Sequence, residues 1–196
     1  SVVPHLPGRT PATVHVLRQP VSAYSEALRR LQIGLELSET AASPKTVLFS
    51  SSTPAEGKSV MVASLGRLLA SNGKRVLLID CDWRCPRLHQ TFRCSNRVGL
   101  VSVLGEKDTA LTDAIHHDSL SGVDIMPAGN WNPRQSHLIS SDRMRHMLAA
   151  LEPDYDFILL DTPPVLVAAE VLALSRLVNK VVFVVRWGHT RREAVM

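Results

Sequence analysis

The stretch that decides the fold runs from residue 46 to residue 59 and reads Thr-Val-Leu-Phe-Ser-Ser-Ser-Thr-Pro-Ala-Glu-Gly-Lys-Ser. It begins with a short, continuous apolar run, Thr46–Ser50, which is typical of a strand buried on both faces of a sheet. The chain then passes through a serine-rich turn to Gly57 and continues as a helical pattern over residues 58–72. A strand, a glycine turn and a helix in this order predict a loop whose backbone faces a phosphate group.

The rest of the chain repeats the alternation of apolar runs and helical patterns. The further runs are Val76–Asp80, Val123–Met126, Phe157–Asp161 and Val181–Val185. Helical patterns lie at 108–117, 140–151 and 167–178, and an amphipathic helix over 22–38 precedes the first strand. This alternation predicts an α/β fold with a mostly parallel sheet flanked by helices. Ligands of such folds bind beyond the carboxyl ends of the strands, so the residues after each run are the candidates for function.

Length and composition bound the possible functions. The 196 residues correspond to one domain. We expect residues 1–20, which are rich in proline, to form an extended linker or arm, and residues 21–196 to form one P-loop ATP-binding domain that is incomplete at its C-terminus. The 22 Lys and Arg residues against 18 Asp and Glu residues are scattered, so nucleic acid is not an expected partner. Prolines and charges interrupt the most apolar stretch, 157–178, so we expect this fragment to be soluble.

Residues 52–59 match the P-loop or Walker A pattern G-x-x-x-x-G-K-[ST], with Ser52 in place of the first glycine. In this motif the lysine contacts the outer phosphates of a nucleotide and the final hydroxyl binds Mg²⁺. We therefore predict a nucleotide-binding segment made of Thr53, Pro54, Ala55, Glu56, Gly57, Lys58, Ser59 and Val60. On the motif alone, a serine-rich turn with a surface lysine is the alternative.

Carboxylates follow two of the other predicted strands. Asp80 and Asp82 come at the end of one apolar run, and Asp161 ends another. A carboxylate at the end of a buried strand needs a partner, which a divalent cation or a proton donor can provide. Taken alone, Asp80 and Asp82 also fit the start of a solvated loop. Together with the P-loop they predict a Mg²⁺-dependent nucleotide phosphohydrolase or phosphotransferase with Walker A and Walker B segments.

Three segments together resemble the bacterial tyrosine kinases (BY-kinases). They are the residues 51–59, 76–89 and 154–166, which carry the P-loop, the Asp-Cys-Asp-Trp-Arg sequence and the Leu-Leu-Asp-Thr-Pro-Pro sequence. BY-kinases are the cytoplasmic ATP-binding domains of exopolysaccharide and capsule chain-length regulators, and their Asp-x-Asp segment is called Walker A′. The resemblance extends over roughly residues 20–192.

The resemblance implies an activity and a role for several residues. It implies an autophosphorylating protein tyrosine kinase that uses ATP and Mg²⁺, with Lys58, Asp80 and Asp82 as catalytic residues. Asp80 is the expected base for the tyrosine hydroxyl. The implied metal ligands are Ser59, Asp82 and Asp161. Arg84 is expected near the phosphates or at a contact between subunits.

The resemblance also implies a location and partners. It places the chain at the cytoplasmic side of the bacterial inner membrane, tethered to a membrane-spanning chain-length domain of the same or a partner chain. It implies a homo-oligomer through the first helix, with Glu26, Arg29 and Arg30 as the contact residues. Gln32 stands where the family carries its second arginine.

Two alternatives remain open from the sequence. BY-kinases carry a C-terminal tyrosine cluster, whereas this chain has only Tyr24 and Tyr155, both in patterns that favour packing. One alternative is therefore a non-kinase ATP-binding or ATPase regulator of polysaccharide chain length. The other is a positioning ATPase of the plasmid-partition or septum-site type, which carries a signature lysine where this chain has Thr53.

Overall fold

The central layer of the molecule is a six-stranded sheet. A computed structural model describes residues 2–6, 10–37, 45–105, 109–132, 135, 138–139 and 141–195. The strands are β1 (Thr46–Ser51), β2 (Val76–Asp80), β3 (His116–Asp118), β4 (Val123–Met126), β5 (Phe157–Asp161) and β6 (Lys180–Val184). They lie in the order β3-β4-β2-β5-β1-β6, and every neighbouring pair is parallel except β3 and β4. The predicted fold class is therefore confirmed.

Helices cover both faces of the sheet. They are α1 (Ala12–Arg18), α2 (Ala23–Glu36), α3 (Lys58–Ser71), α4 (Leu88–Phe92), α5 (Leu100–Gly105), α6 (Asp142–Leu151) and α7 (Glu170–Leu174). Side chains of α1 to α4 share one core with Phe49 and Leu78, whereas side chains of α5 to α7 share the other core with Leu48 and Leu77. Within the described ranges, none of the helices has both the length and the apolar character needed to cross a bilayer.

The register of the sheet brings the predicted functional residues to one edge. Asp80 at the end of β2 lies directly opposite Asp161 at the end of β5. The strand β1, which leads into the P-loop, pairs with β5 on the other side of that aspartate. Because these three strands are parallel, their carboxyl ends meet along the same edge.

Three predicted elements differ from the structure. The segment 108–117 is not a helix where it is described, since Leu111–Ala114 form a 3-10 turn and His116–Asp118 form the antiparallel edge strand β3. A three-residue strand is too short to leave a periodic signal in the sequence. The helix predicted at 167–178 is confined to Glu170–Leu174, and β6 begins one residue earlier than predicted.

The prediction of an extended arm over residues 1–20 is wrong for part of that range. Ala12–Arg18 form α1, whose Val16 is buried in the core beside α3. The Arg67 Nη1 atom on α3 donates a hydrogen bond of 3.2 Å to the carbonyl oxygen of Thr13. A seven-residue helix is not stable alone, so packing against α3 decides this conformation. The boundary between an arm and the domain stays a prediction.

Candidate nucleotide-binding and phosphotransfer site

The P-loop leaves β1 and returns as α3 through two residues with left-handed backbone. Gly57, the N-cap residue of α3, has φ +95°, and Ala55 has φ +64°. Glycine takes up this conformation freely, whereas alanine does so only where the surrounding structure holds it. Strain at Ala55 is therefore located within the loop that we expect to bind phosphate.

Lys58 lies at the first position of α3 and is held inside the loop. Its Nζ atom donates a hydrogen bond of 2.9 Å to the Ser51 hydroxyl, which itself donates to the carbonyl oxygen of Thr53 at 2.8 Å. The side chain is buried, but it still contributes to the lining of the cleft described below. An ammonium group held in this way is positioned before a ligand arrives, which favours binding of an anion.

Glu56, predicted to contact the nucleotide, instead shapes the loop. Only 7% of its surface is exposed. Its carboxylate accepts hydrogen bonds from the Thr53 N–H at 2.9 Å, from the Thr190 hydroxyl, and from the Arg186 N–H at 3.5 Å. Burial raises the pKa of Glu56, but these hydrogen bonds outweigh it and hold the pKa below its ordinary value. Glu56 therefore ties the P-loop to the segment that follows β6.

Asp161 is a carboxylate buried at the end of β5. It is 1% exposed, and neither of its side-chain oxygens has a hydrogen-bond partner among the described residues. Burial raises its pKa to about 7, although the nearby Ser59 hydroxyl and Lys58 ammonium act in the opposite direction. Two unpartnered carboxylate oxygens below the P-loop fit a hydrated divalent cation, which would satisfy them.

Asp80 is fully buried and organises the loop that follows β2. Its Oδ2 atom accepts hydrogen bonds of 3.0 Å from the N–H groups of Arg87 and Leu88, and its Oδ1 atom accepts one of 3.2 Å from the Asp82 N–H. Burial is the largest cause that raises the pKa of Asp80, followed by the charge of Asp161. In this conformation Asp80 positions the loop that carries Asp82. Its role as a base stays a prediction.

A cleft of about 610 Å³ opens above these groups. The P-loop, the loop after β2 and the segment after β5 form its sides. Of the predicted site residues, the structure places eight in the lining: Pro54, Ala55, Gly57, Lys58, Ser59, Val60, Asp82 and Arg84. The other four, Thr53, Glu56, Asp80 and Asp161, lie within the loop or beneath it. The predicted residues therefore gather at one place in the fold, but four of the twelve do not line the cleft.

Arg84 connects two sides of the cleft. Its Nη1 atom donates a hydrogen bond of 3.0 Å to the carbonyl oxygen of Val167, and its Nη2 atom lies 3.2 Å from Oε1 of Glu170. Val167 and Glu170 belong to the segment after β5, whereas Arg84 belongs to the loop after β2. The guanidinium therefore clamps the Walker A′ loop to the Walker B segment.

Several lining residues were missed by the sequence analysis. Cys85, Arg87, Gln90 and Thr91 come from the loop after β2 and from α4, and Val167 comes from the segment after β5. Their position just after strand-end carboxylates was the only signal in the sequence. It does not reveal which side chains turn toward the ligand, because that depends on how the loop folds back over Asp80.

Comparisons with known proteins cover the same part of the chain as these motifs. A sequence profile described as "AAA domain" matches residues 45–189. The tyrosine-protein kinase YwqD of Bacillus subtilis is 33% identical over 185 residues, which span 94% of this chain and 78% of that protein. The tyrosine-protein kinase etk of Escherichia coli is 31% identical over 169 residues, which span 86% of this chain but only 23% of the longer protein.

Solved structures agree with the sequence relatives. The kinase domain of Escherichia coli tyrosine kinase ETK superimposes with a TM-score of 0.87 at 29% identity, over 98% of this chain and 74% of that one. The septum site-determining protein MinD of Pyrococcus horikoshii, a complex with Mg-ADP, shares the fold with a TM-score of 0.60 at 24% identity, over 71% of this chain and 57% of that one. Similarity of sequence and of fold across all three motifs shows that this chain belongs to the bacterial tyrosine-protein kinases and is an ATP-dependent phosphotransferase.

Proposed function

We propose that the cleft binds Mg-ATP and that the chain transfers the γ-phosphoryl group to tyrosine hydroxyls, and thereby regulates exopolysaccharide or capsule polymerisation and export. One observation carries this proposal. Lys58, Ser59 and Asp82 line a single cleft, and the unpartnered carboxylate of Asp161 lies beneath it. This arrangement offers a cation for phosphates and oxygens for a divalent metal, which are the parts that phosphoryl transfer requires.

The residues at the site fit magnesium as part of a nucleotide complex. Among the described residues, no group of three or more His, Cys, Asp and Glu side chains is placed to hold a metal by itself. Mg²⁺ is usually bound by one or two carboxylates together with substrate phosphates, so Ser59, Asp82 and Asp161 are a sufficient protein contribution. The ion would neutralise charge on the transferred phosphoryl group.

The chain's own residues supply positioning and charge. In the proposed reaction, the tyrosine oxygen forms a bond to the γ-phosphorus as the bond from that phosphorus to the ADP oxygen breaks. Lys58 stabilises the charge on the phosphates, and the tyrosine proton passes to Asp80. Because Asp80 is buried under the loop it organises, contact with a tyrosine requires the segment 82–88 to shift.

Replacing Asp80 by asparagine tests this role. We expect Asp80→Asn to lower tyrosine phosphorylation about 100-fold, as loss of a proton acceptor does, and to change ATP affinity less than about threefold. Peptide phosphorylation measured by mass spectrometry and ATP binding measured by calorimetry separate the two effects. Retained phosphorylation would exclude Asp80 as the base, and an equal loss of ATP binding would make it a positioning residue only.

The two tyrosines of the chain are packing residues, as predicted. Tyr24 is 5% exposed and donates a hydrogen bond of 2.9 Å to the Ser64 hydroxyl, while Tyr155 is 8% exposed and donates one of 2.9 Å to Asp124 Oδ2. Burial is the largest cause that raises the pKa of both hydroxyls. Neither group can reach the cleft in the folded chain, so we propose that the acceptor tyrosine comes from another segment or another copy.

This burial leads to a simple prediction about autophosphorylation. After incubation with Mg-ATP, we expect mass spectrometry to find no phosphate on Tyr24 or Tyr155 of the folded chain. The variants Tyr24→Phe and Tyr155→Phe should phosphorylate an added tyrosine peptide at the wild-type rate. Phosphotyrosine at either position would contradict the packing role.

Tethering and assembly are also proposals. We place the chain at the cytoplasmic side of the inner membrane beside a chain-length domain, with α2 as the oligomer contact. Glu26 and Arg29 form an ion pair on α2, Arg30 is exposed, and Gln32 donates a hydrogen bond of 3.1 Å to Glu36. In this proposal, these polar groups on α2 form the contact with another copy of the chain.

The decisive experiment for the function combines two measurements on one sample. The wild-type chain is incubated with Mg-ATP and a tyrosine-containing peptide, and both phosphotyrosine and released phosphate are quantified. We expect phosphotyrosine to form with the wild-type chain and to be strongly reduced in the P-loop variant Lys58→Met. Release of phosphate without phosphotyrosine would instead support the non-kinase ATPase regulator.

A further inference from the structure

One group of residues that line the cleft was not assigned to the nucleotide above. It is formed by Arg87, Gln90 and Thr91, which we call the α4 wall because α4 (Leu88–Phe92) and the residue just before it carry these side chains. The P-loop, with Lys58 and Ser59, forms another side of the same cleft. A ligand that spans the cleft would therefore contact phosphate-binding groups on one side and the α4 wall on the other.

The charged groups that line the cleft do not balance. They are Lys58, Arg84 and Arg87 against the single carboxylate of Asp82. Arg84 is paired with Glu170, and Lys58 is held by Ser51. Arg87 is exposed, and its Nη1 atom lies 3.4 Å from the Gln90 amide oxygen.

Arg87 is therefore a cation at the cleft that can accept an anionic partner. Within the part of the chain that the structure describes, it forms no ion pair with a carboxylate. Burial is the main cause that lowers the pKa of the neighbouring His89, and the positive charge of Arg87 lowers it further. A guanidinium that lines a cleft without a carboxylate partner is suited to bind a carboxylate supplied by a ligand.

In this conformation the backbone of Arg87 is hydrogen-bonded to the proposed base. Its N–H donates to Asp80 Oδ2, the group proposed to accept the tyrosine proton, and so does the N–H of the fully buried Leu88. The same carboxylate binds the N–H of Asp82, a proposed metal ligand. Arg87 thus belongs to the segment 82–88, which must shift before an acceptor tyrosine contacts Asp80.

We propose that the α4 wall is the subsite for the acceptor polypeptide and that Arg87 selects acidic residues beside the acceptor tyrosine. This inference rests on the proposed kinase function. The P-loop already offers an ammonium and a helix N-terminus to the phosphates, so the charge of Arg87 remains for the second substrate. An acidic flank pairs with Arg87, and a basic flank is repelled by it.

The test compares three tyrosine peptides that differ only in their flanking residues, which are glutamate, glutamine or lysine. We expect the wild-type chain to favour the glutamate peptide over the glutamine peptide by about 5-fold, through KM rather than kcat. Arg87→Gln should reduce this ratio to about 1, and Arg87→Glu should favour the lysine peptide. ATP affinity, measured by calorimetry, should stay within about twofold in both variants. Arg97→Glu, which reverses another exposed arginine, is the matched control.

Two outcomes would overturn the proposal. An unchanged preference in Arg87→Gln would show that Arg87 does not read the peptide, and an equal loss of ATP affinity would make Arg87 a nucleotide ligand. If the wild-type chain phosphorylates none of the peptides, the kinase function itself has failed. A binding assay then tests the subsite alone. The chain is saturated with a non-hydrolysable ATP analogue, and binding of the same peptides is measured by fluorescence anisotropy. Absence of any charge preference in that binding would also overturn it.

Discussion

Replacing Lys58 by methionine is expected to weaken ATP binding by about 10-fold or more and to lower tyrosine phosphorylation by about 1000-fold. The ammonium is buried within the P-loop, where it donates a hydrogen bond to Ser51, and it lines the cleft. Methionine fills similar space without the charge, so the fold should persist while the phosphates lose their cation. Calorimetry with ATP and a peptide phosphorylation assay measure the two effects.

The control for this variant is Lys74→Met. Lys74 is exposed on the turn that precedes β2 and lies away from the cleft, so we expect this change to leave both measurements unaltered. Thermal melting of Lys58→Met should stay close to that of the wild type. Unchanged ATP affinity in a folded Lys58→Met protein would mean that the P-loop assignment is wrong.

Replacing Asp161 by asparagine is expected to lower the activity of the protein and to raise its stability. We expect phosphorylation to fall about 100-fold or more, because the buried oxygens that fit the metal are reduced to one neutral acceptor. We also expect the metal-free protein to become more stable, since a carboxylate buried without partners opposite Asp80 is costly. A gain of about 2 kcal/mol corresponds to a rise in Tm of roughly 4–8 °C for a chain of this size.

The pH dependence of stability gives an independent check on Asp161. Its pKa is raised from 3.8 to about 7 in the folded chain, so between these values the folded state holds a proton that the unfolded state has lost. Protonation therefore stabilises the fold at low pH, and this contribution disappears as pH rises toward 7. In buffer with EDTA, we expect the Tm of the wild type to fall between pH 5 and pH 8, and the fall to be smaller in Asp161→Asn.

Magnesium should reverse the order of the two proteins. Added Mg-ATP stabilises a protein that binds it in the folded state alone, so the Tm of the wild type should rise more than that of Asp161→Asn. A variant that is less stable than the wild type without metal would contradict the view of Asp161 as an unsatisfied buried charge. An equal rise in the Tm of the two proteins with Mg-ATP would show that Asp161 does not contribute to the metal site.

The sequence was sufficient for the elements whose signals are local. A continuous apolar run marks a strand that is buried on both faces, so β1, β2, β4 and β5 were predicted to within one residue. The phosphate loop was predicted because its motif is defined by residue types at fixed spacing: a glycine for the backbone turn at Gly57 and a lysine for the charge at Lys58. The short elements α1, α4, α5 and β3 were not, because each is stabilised by contacts with distant segments rather than by its own pattern.

The sequence by itself therefore determined which chemical groups follow the strands: a lysine and a serine after β1, and aspartates at the ends of β2 and β5. Only the tertiary structure decided which of them face the ligand. It buried Asp80 under hydrogen bonds from its own loop, turned Glu56 toward Thr190, paired Arg84 with Glu170 and left Arg87 at the cleft. The physical reason is that spacing along the chain fixes the edge at which a side chain lies, whereas its orientation depends on partners that are distant in sequence.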